Sequence, residues 1–370
     1  MQVESIQLIN FKNYEDIKLD LNNRVTCVVG DNGMGKTNLL DAVYYTCLSK
    51  SYFNSTEQHN IRTGQSFFSI KMHVLQSGKR HELFCNYVAG EKKVIKNNKK
   101  PYTKIADHIG QFPCVMITPG DLYLINEYAQ ERRKFIDSII VQYDAQYLNC
   151  LLKYHKILNQ RNALLRSAQQ NGFLDIDLIQ IFDMQLAELG TAIFEQRKIF
   201  IQEYVPLVES IYSYIAQDRE HINCQYKSSL DQVPLIDALA KELEKDKITG
   251  RTGSGVHKDD FLFLINDMPV KKYGSQGQQK SFVFALKLAK AKLIARKSKK
   301  HPILLLDDIF DRLDLNRMKN LMALIFEQTF GHIILSDTEA ERITTILGQY
   351  NIDFDLIRIH EAKQILGEAQ

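Results

Sequence analysis

Gly30-Asp31-Asn32-Gly33-Met34-Gly35-Lys36-Thr37 has the form G-x-x-x-x-G-K-[ST]. Average residue usage produces that pattern in about one chain in a hundred of this length. Its flanks add context. Val25-Thr26-Cys27-Val28-Val29 is a short apolar run that predicts a buried strand, and Asn38 to Leu48 has helical apolar periodicity. A strand, a glycine-rich turn and a helix start bring backbone N–H groups and the positive helix end onto one phosphate. All eight residues are therefore candidate nucleotide-binding residues. Lys36 is expected to neutralise the β- and γ-phosphates, a catalytic role, and the Thr37 hydroxyl to ligate Mg2+.

A loop of this kind needs a carboxylate at the end of a neighbouring strand. Ile303-Leu304-Leu305-Leu306-Asp307-Asp308 supplies two. Four aliphatics bury the strand, and the acids emerge at its carboxyl end, where α/β sheets bind ligands. Asp307 is the expected metal-side carboxylate and Asp308 the candidate for polarising an attacking water. Upstream stands Tyr273-Gly274-Ser275-Gln276-Gly277-Gln278-Gln279-Lys280. Read alone, this is a capped helix start with Ser275 as N-cap. Its free amides and Gly277 also have the makings of a second anion cradle. One nucleotide does not need two cradles from the same chain; two facing copies would use both.

The remaining sequence bounds the class. The chain has 370 residues, 45% of them hydrophobic, enough for one large domain or two coupled ones. Net charge is only +3, so a nucleic-acid site has to come from local clusters. Three stand out: Lys92 and Lys93 with Lys96, Lys99 and Lys100; Arg132, Arg133 and Lys134; and Arg296, Lys297, Lys299 and Lys300. The six scattered cysteines form no C-x-x-C pair, which fits a reducing compartment. No apolar run reaches membrane-span length, so no membrane association is expected and the cytoplasm is the expected location. From 121 to 220 the periodicity is helical and predicts an antiparallel arm turning near Asn171-Gly172. Residues 225–256 are polar and weakly periodic and read as a return connection.

The motif order resembles the ABC-type ATPase heads of the SMC-like proteins, most closely the RecF family of bacterial recombination proteins. The matches include the stretch from Leu8 to Tyr14, the loop from Gly30 to Asn38, Asp121-Leu122 and the run from Glu131 to Asp137. They continue through Gln160 to Leu165, Gly255 to Asp260 and Ser275 to Gln279, across nearly the whole chain. The resemblance implies an α/β fold: an ABC-ATPase head with mixed and parallel sheets, formed by 1–120 plus 251–370, carrying an inserted α-helical arm subdomain with its return at 121–250. It implies ATP and Mg2+ as cofactors and a slow, DNA-stimulated ATPase. It further implies an ATP-dependent homodimer at single-strand/double-strand gap junctions, and RecA loading with RecO and RecR.

By the same resemblance Ser275, Gln276, Gly277, Gln278 and Gln279 are the signature that reads the partner's nucleotide. Asp314 belongs to the D-loop, Ser336-Asp337-Thr338 lies where a γ-phosphate sensor is expected, with Asp337 its candidate residue, and Lys12 stands at a phosphate-contacting position that is usually Arg. Asn54, Lys280 and Arg312 depart from the family pattern. A transporter nucleotide-binding subunit would carry L-S-G-G-Q, which is missing. A small-molecule P-loop kinase would need an Arg-rich lid, and a chromosome-compacting SMC protein a far longer coiled coil.

Overall fold

The computed structural model describes all residues except 218–219, 310–314, 327–329, 361–362 and 366–370. In chain order it opens with β1 (Gln2–Phe11), β2 (Tyr14–Asp20), β3 (Val25–Val29), α1 (Lys36–Leu48), β4 (Phe67–Gln76), β5 (Lys79–Val88), β6 (Val94–Asn97), β7 (Lys100–Pro101) and β8 (Cys114–Ile117). Next come α2 (Tyr123–Asn126), α3 (Ala129–Ile140), α4 (Ala145–Asn171), α5 (Ile176–Ala216), β9 (Ile222–Lys227), α6 (Leu235–Thr249), β10 (Asp260–Ile265), β11 (Met268–Pro269), α7 (Val270–Tyr273) and α8 (Gln276–Ser298). The chain closes with β12 (Ile303–Asp307), α9 (Leu315–Phe326), β13 (Ile333–Asp337), α10 (Ala340–Gln349), β14 (Phe354–His360) and β15 (Lys363–Ile365). Two compact units result: Met1–Asp121 with Leu286–Gln370, and Leu122–Ala285.

The first unit holds two six-stranded sheets, ordered β2-β1-β4-β5-β6-β7 and β15-β14-β3-β13-β12-β8. The first is antiparallel throughout. In β4 the apolar residues Phe68, Ile70, Met72 and Val74 alternate with half-exposed ones, so one face is buried. The second sheet is parallel apart from β15. Its β3, β12 and β13 are buried at every position, as strands covered on both faces must be. Helix α1 packs against strands of both sheets. It is buried at nearly every position, which its all-round apolar sequence requires.

In the second unit α4 and α5 are antiparallel, joined by a turn that starts at Gly172 in the left-handed conformation, φ 72°. The sequence placed the turn there. Asp144 and Asp175 cap the two helices by accepting the N–H of Tyr147 (2.9 Å) and Leu178 (3.0 Å). The polar return expected at 225–256 instead contains β9 and α6. Leu235 and Leu239 are buried at helical spacing, but the run Lys241 to Lys247 hides that stripe in charge. β10 pairs along its whole length with β9, from Asp260 opposite Lys227 to Ile265 opposite Ile222. Residues 251–285 accordingly pack with the second unit, and the division falls at 285/286 rather than at 250.

Arg161, fully buried, ties three segments of this unit together. It donates to Asp183 (2.5 Å) on α5, Asp246 (2.7 Å) on α6 and the Thr252 hydroxyl (2.9 Å). Removing the guanidinium would strand two buried carboxylates. Arg161→Met should lower unfolding stability by about 3–5 kcal/mol, read by urea denaturation followed through helical circular dichroism.

Candidate nucleotide-binding site

The loop 30–35 joins β3 to α1 in the first unit, and its conformation is fixed from outside by the β1–β2 hairpin. Tyr14 donates its hydroxyl to the Gly35 carbonyl (3.0 Å), and Asn13 Nδ2 donates to the Met34 carbonyl (3.4 Å). Asn38 in turn donates to Asn13 Oδ1 (2.8 Å). Gly35 sits at φ 113°, and a Cβ there would lie 2.6 Å from Asn13 Nδ2 and 2.9 Å from the Tyr14 oxygen. Only glycine fits both the dihedral and the space. The first α1 bond runs from Leu39 N–H to the Gly35 carbonyl (3.0 Å). The amides of the turn before it have no intrahelical acceptor and carry the helix's positive end. Lys36 donates to the carbonyls of Gly30 (2.8 Å) and Asp31 (3.1 Å), which holds its ammonium against the loop. Asp31, Asn32 and Gly33 are exposed.

Strand register assembles the acidic side. Asp307 is paired with Ser336 across the parallel β12–β13 ladder. Ser336 donates its hydroxyl to Asp307 Oδ1 (2.7 Å), and Thr37 donates to Asp307 Oδ1 (2.9 Å) and Oδ2 (3.0 Å). The Asp308 N–H donates to the Ser336 hydroxyl (3.1 Å). Asp308 itself is left-handed, φ 45°, a conformation uncommon for a non-glycine residue although tolerated by Asp. Burial pushes the Asp307 carboxyl above the usual carboxylate range. The Ser336 and Thr37 hydroxyls and the Lys36 charge pull it back, and the Asp308 charge adds to the rise. The donor set is hard: one carboxylate and one hydroxyl in contact. That suits Mg2+, which binds through one or two carboxylates and completes its shell with phosphates and water. Among the described residues no group of three or more His, Cys, Asp and Glu side chains is placed to hold a metal by itself.

Neighbours along a strand point to opposite faces. With Ser336 turned toward Asp307, Asp337 turns away. It accepts the Glu339 N–H (2.9 Å) just ahead of α10 and the Arg342 Nε–H (3.0 Å) from within that helix. Of the sensor segment it is thus Ser336 that stands at the acidic pair. Lys12, φ 51°, forms an ion pair with buried Asp41 (2.5 Å), which also accepts the Ser51 hydroxyl and the Tyr52 N–H (2.6 Å each). Asp314 and Arg312 lie outside the described residues.

The signature segment is in the second unit. Ser275 and Gln278 form a reciprocal capping box: the Gln278 N–H donates to the Ser275 hydroxyl (3.3 Å), and the Ser275 N–H to Gln278 Oε1 (2.6 Å). Gln278 also donates to Glu220 (2.8 Å), and Gln279 to the Gly274 carbonyl (3.0 Å). Ser275 and Gln276 are exposed, and Gly277 is half-buried. The basic clusters separate. Lys92, Lys99 and Lys100 are exposed, whereas Lys93 is held by Glu57 and the Ser49 carbonyl. Arg132 makes a two-pronged bond to Asp260 (2.8 and 3.0 Å), and Arg133 donates to the Asp259 carbonyl.

Sequence reasoning assigned no role to Asn13, Tyr14 or Asn38, which shape the loop, and within the segment Ser336-Asp337-Thr338 it favoured Asp337. Asn13 and Tyr14 fall inside the matched stretch Leu8 to Tyr14, the one signal that pointed at them. Gly35→Ala should lower the stability of the unliganded protein by about 1–3 kcal/mol through backbone strain, measured by thermal unfolding.

The family model described as the RecF/RecN/SMC N-terminal domain matches residues 2–344. The DNA replication and repair protein RecF of Flavobacterium johnsoniae is 42% identical, over 94% of this chain and 97% of its own length. The protein of the same name from Bacteroides fragilis is 40% identical over 97% and 96%. The solved structure of the recombination mediator protein RecF with ATP, of the RecFOR pathway, matches with a TM-score of 0.88 at 27% identity, over 98% of this chain and 96% of that one. An SMC head bound to the C-winged helix domain of ScpA, at 13% identity and a TM-score of 0.57, shares the fold. The chain belongs to the RecF/RecN/SMC family and, within it, to the RecF proteins of DNA replication and repair.

Proposed function

We propose that this chain binds ATP with Mg2+ at the Gly30–Thr37 loop and closes as a homodimer on DNA at single-strand/double-strand gap junctions. There it would assist RecA loading together with RecO and RecR, with slow hydrolysis stimulated by DNA. The observation that carries the reading is the contact of Thr37, Asp307 and Ser336 under an amide-lined loop. Thr37 and Asp307 would hold Mg2+, which when bound neutralises phosphate charge. Lys36 is within reach of the loop's own carbonyls and can exchange them for phosphate oxygens. Asp308, anchored through its N–H to Ser336, is the candidate to orient the attacking water. The boxed helix start at Ser275 keeps its exposed end free for a second copy's γ-phosphate.

On DNA, the exposed Lys92, Lys99 and Lys100 offer sequence-independent phosphate contacts. A cytoplasmic setting agrees with six free cysteines. No helix among the described residues is long and apolar enough to cross a membrane.

Light scattering with and without ATP tests the central claim. Wild type should double in mass with ATP and retain gapped DNA. Ser275→Arg should bind ATP and stay monomeric. Asp308→Asn should still dimerise while turnover falls roughly a hundred- to ten-thousand-fold. If ATP alters neither mass nor DNA retention in wild type, the dimer reading fails.

Asp307 gives a second test. A carboxyl whose folded pKa is raised stabilises the fold at low pH, below its unfolded pKa, and that contribution is lost as pH rises through the folded value. At neutral pH the buried charge is therefore a cost. Asp307→Asn should raise the melting temperature of the unliganded protein at neutral pH, lose that advantage in acid, and abolish Mg2+-dependent ATP retention.

A further inference from the structure

Two matched stretches are left unexplained by nucleotide binding: Glu131 to Asp137 on α3 and Gly255 to Asp260 before and into β10. In the second unit they meet. Arg132 bonds Asp260, Arg133 bonds the Asp259 carbonyl, and buried Arg197 of α5 joins Asp137 (3.0 Å) to Asp259 (3.1 Å). Between them lies a cavity of about 310 Å³, room for roughly ten waters. Arg133, Lys134, His155, Arg197, Tyr154 and His257 line it.

The charge balance of this cavity is one-sided. Asp137 is the acid in its wall, and its carboxylate is fully engaged, by Arg197 and by the Tyr147 hydroxyl (2.5 Å). Arg133 gives one N–H of a five-donor fork to the Asp259 carbonyl, leaving the others for the cavity. Lys134 is exposed and pairs with Glu131 (2.7 Å) of its own helix. Gly255 makes the wall possible. At φ 129° it brings the chain so close to α4 that a Cβ would lie 2.4 Å from the Tyr154 oxygen. Tyr154 then donates to His257 Nδ1 (2.8 Å), and His257 Nε2 donates to the Thr252 carbonyl (3.1 Å).

The His257 imidazole is kept neutral. Burial lowers His257 to about 4, and Lys258 and Arg133 add to this. Burial also lowers His155 against the pull of Asp137, with Arg197 and Arg133 adding to the drop. A bound anion would oppose those positive charges.

We propose that this cavity is a phosphate-binding site in which Arg133, Lys134 and His155 hold one backbone phosphate of the DNA. The proposal rests on the DNA-binding reading above and adds where one strand is gripped. It assigns Arg132 to the frame and Arg133 to the ligand.

The test uses full-length protein, ATP and a fluorescent gapped duplex across a salt series, with Lys134→Gln, His155→Gln and Arg133→Gln. Lys153→Gln, one charge lost from exposed α4 outside the cavity, is the control. Each cavity variant that melts like wild type should bind roughly ten-fold more weakly. For Lys134→Gln and Arg133→Gln the salt slope should also fall by about one. Equal binding by wild type and all three variants overturns the site and leaves the DNA reading intact. If wild type binds no DNA, that reading falls, and inorganic phosphate decides the site alone. A phosphate-dependent shift of the His155 ring resonance, lost in Arg133→Gln, then keeps the cavity as a free-phosphate site, and no shift ends the proposal.

Discussion

A carboxylate between two hydroxyls organises the first unit. Asp307 is buried, and its charge is tolerated because Thr37 and Ser336 donate to it from different elements. Those bonds require β12 and β13 to be in parallel register and α1 to start where the loop releases it. A shift of one residue between the strands would put Ser336 and Asp307 on opposite faces and leave the acid with Thr37 alone. Loop, strand order and helix start are thereby constrained together by a group whose burial would otherwise be a liability. A site built this way holds the Thr37, Ser336 and Asp307 oxygens together beside the loop through the fold's own bonds.

This also explains what the sequence revealed. The loop and the acidic strand were legible because each is a contiguous segment whose chemistry follows from residue type. The helical arm was legible because Gly172 and the capping aspartates punctuate it. The bond of Ser336 to Asp307 was not, because it joins residues 29 apart across a ladder whose register no local pattern encodes. The same limit hid the pairing of β9 with β10, and with it the place where the second unit ends. Basic clusters were the least legible. Arg132 and Lys93 look like surface charge in the sequence, yet their partners Asp260 and Glu57 lie far away in the chain.

Helix α8 shows how a polar residue can be as informative as an apolar face. The sequence has an apolar stripe through Phe282, Ala285, Leu286, Ala289 and Leu293, but residues 281–291 are buried on every side, Lys287 and Lys290 included. Lys287 donates to Asp121 (2.8 Å), to the Met116 carbonyl (3.0 Å) and to the Tyr52 hydroxyl (2.5 Å). Tyr52 also bonds Asp121, and its N–H reaches Asp41, the partner of Lys12. A chain of polar contacts thus runs within the first unit from the end of β1, through α1 and the segment after it, to α8.

Replacing such a buried pair by aliphatic side chains often costs no stability, so its benefit lies elsewhere. Apolar packing tolerates small rotations of a helix, because neighbouring methyl groups are nearly interchangeable. An ammonium that must meet one carboxylate, one carbonyl and one phenol accepts a single rotation. Lys287 therefore fixes the angular setting of α8 within the first unit.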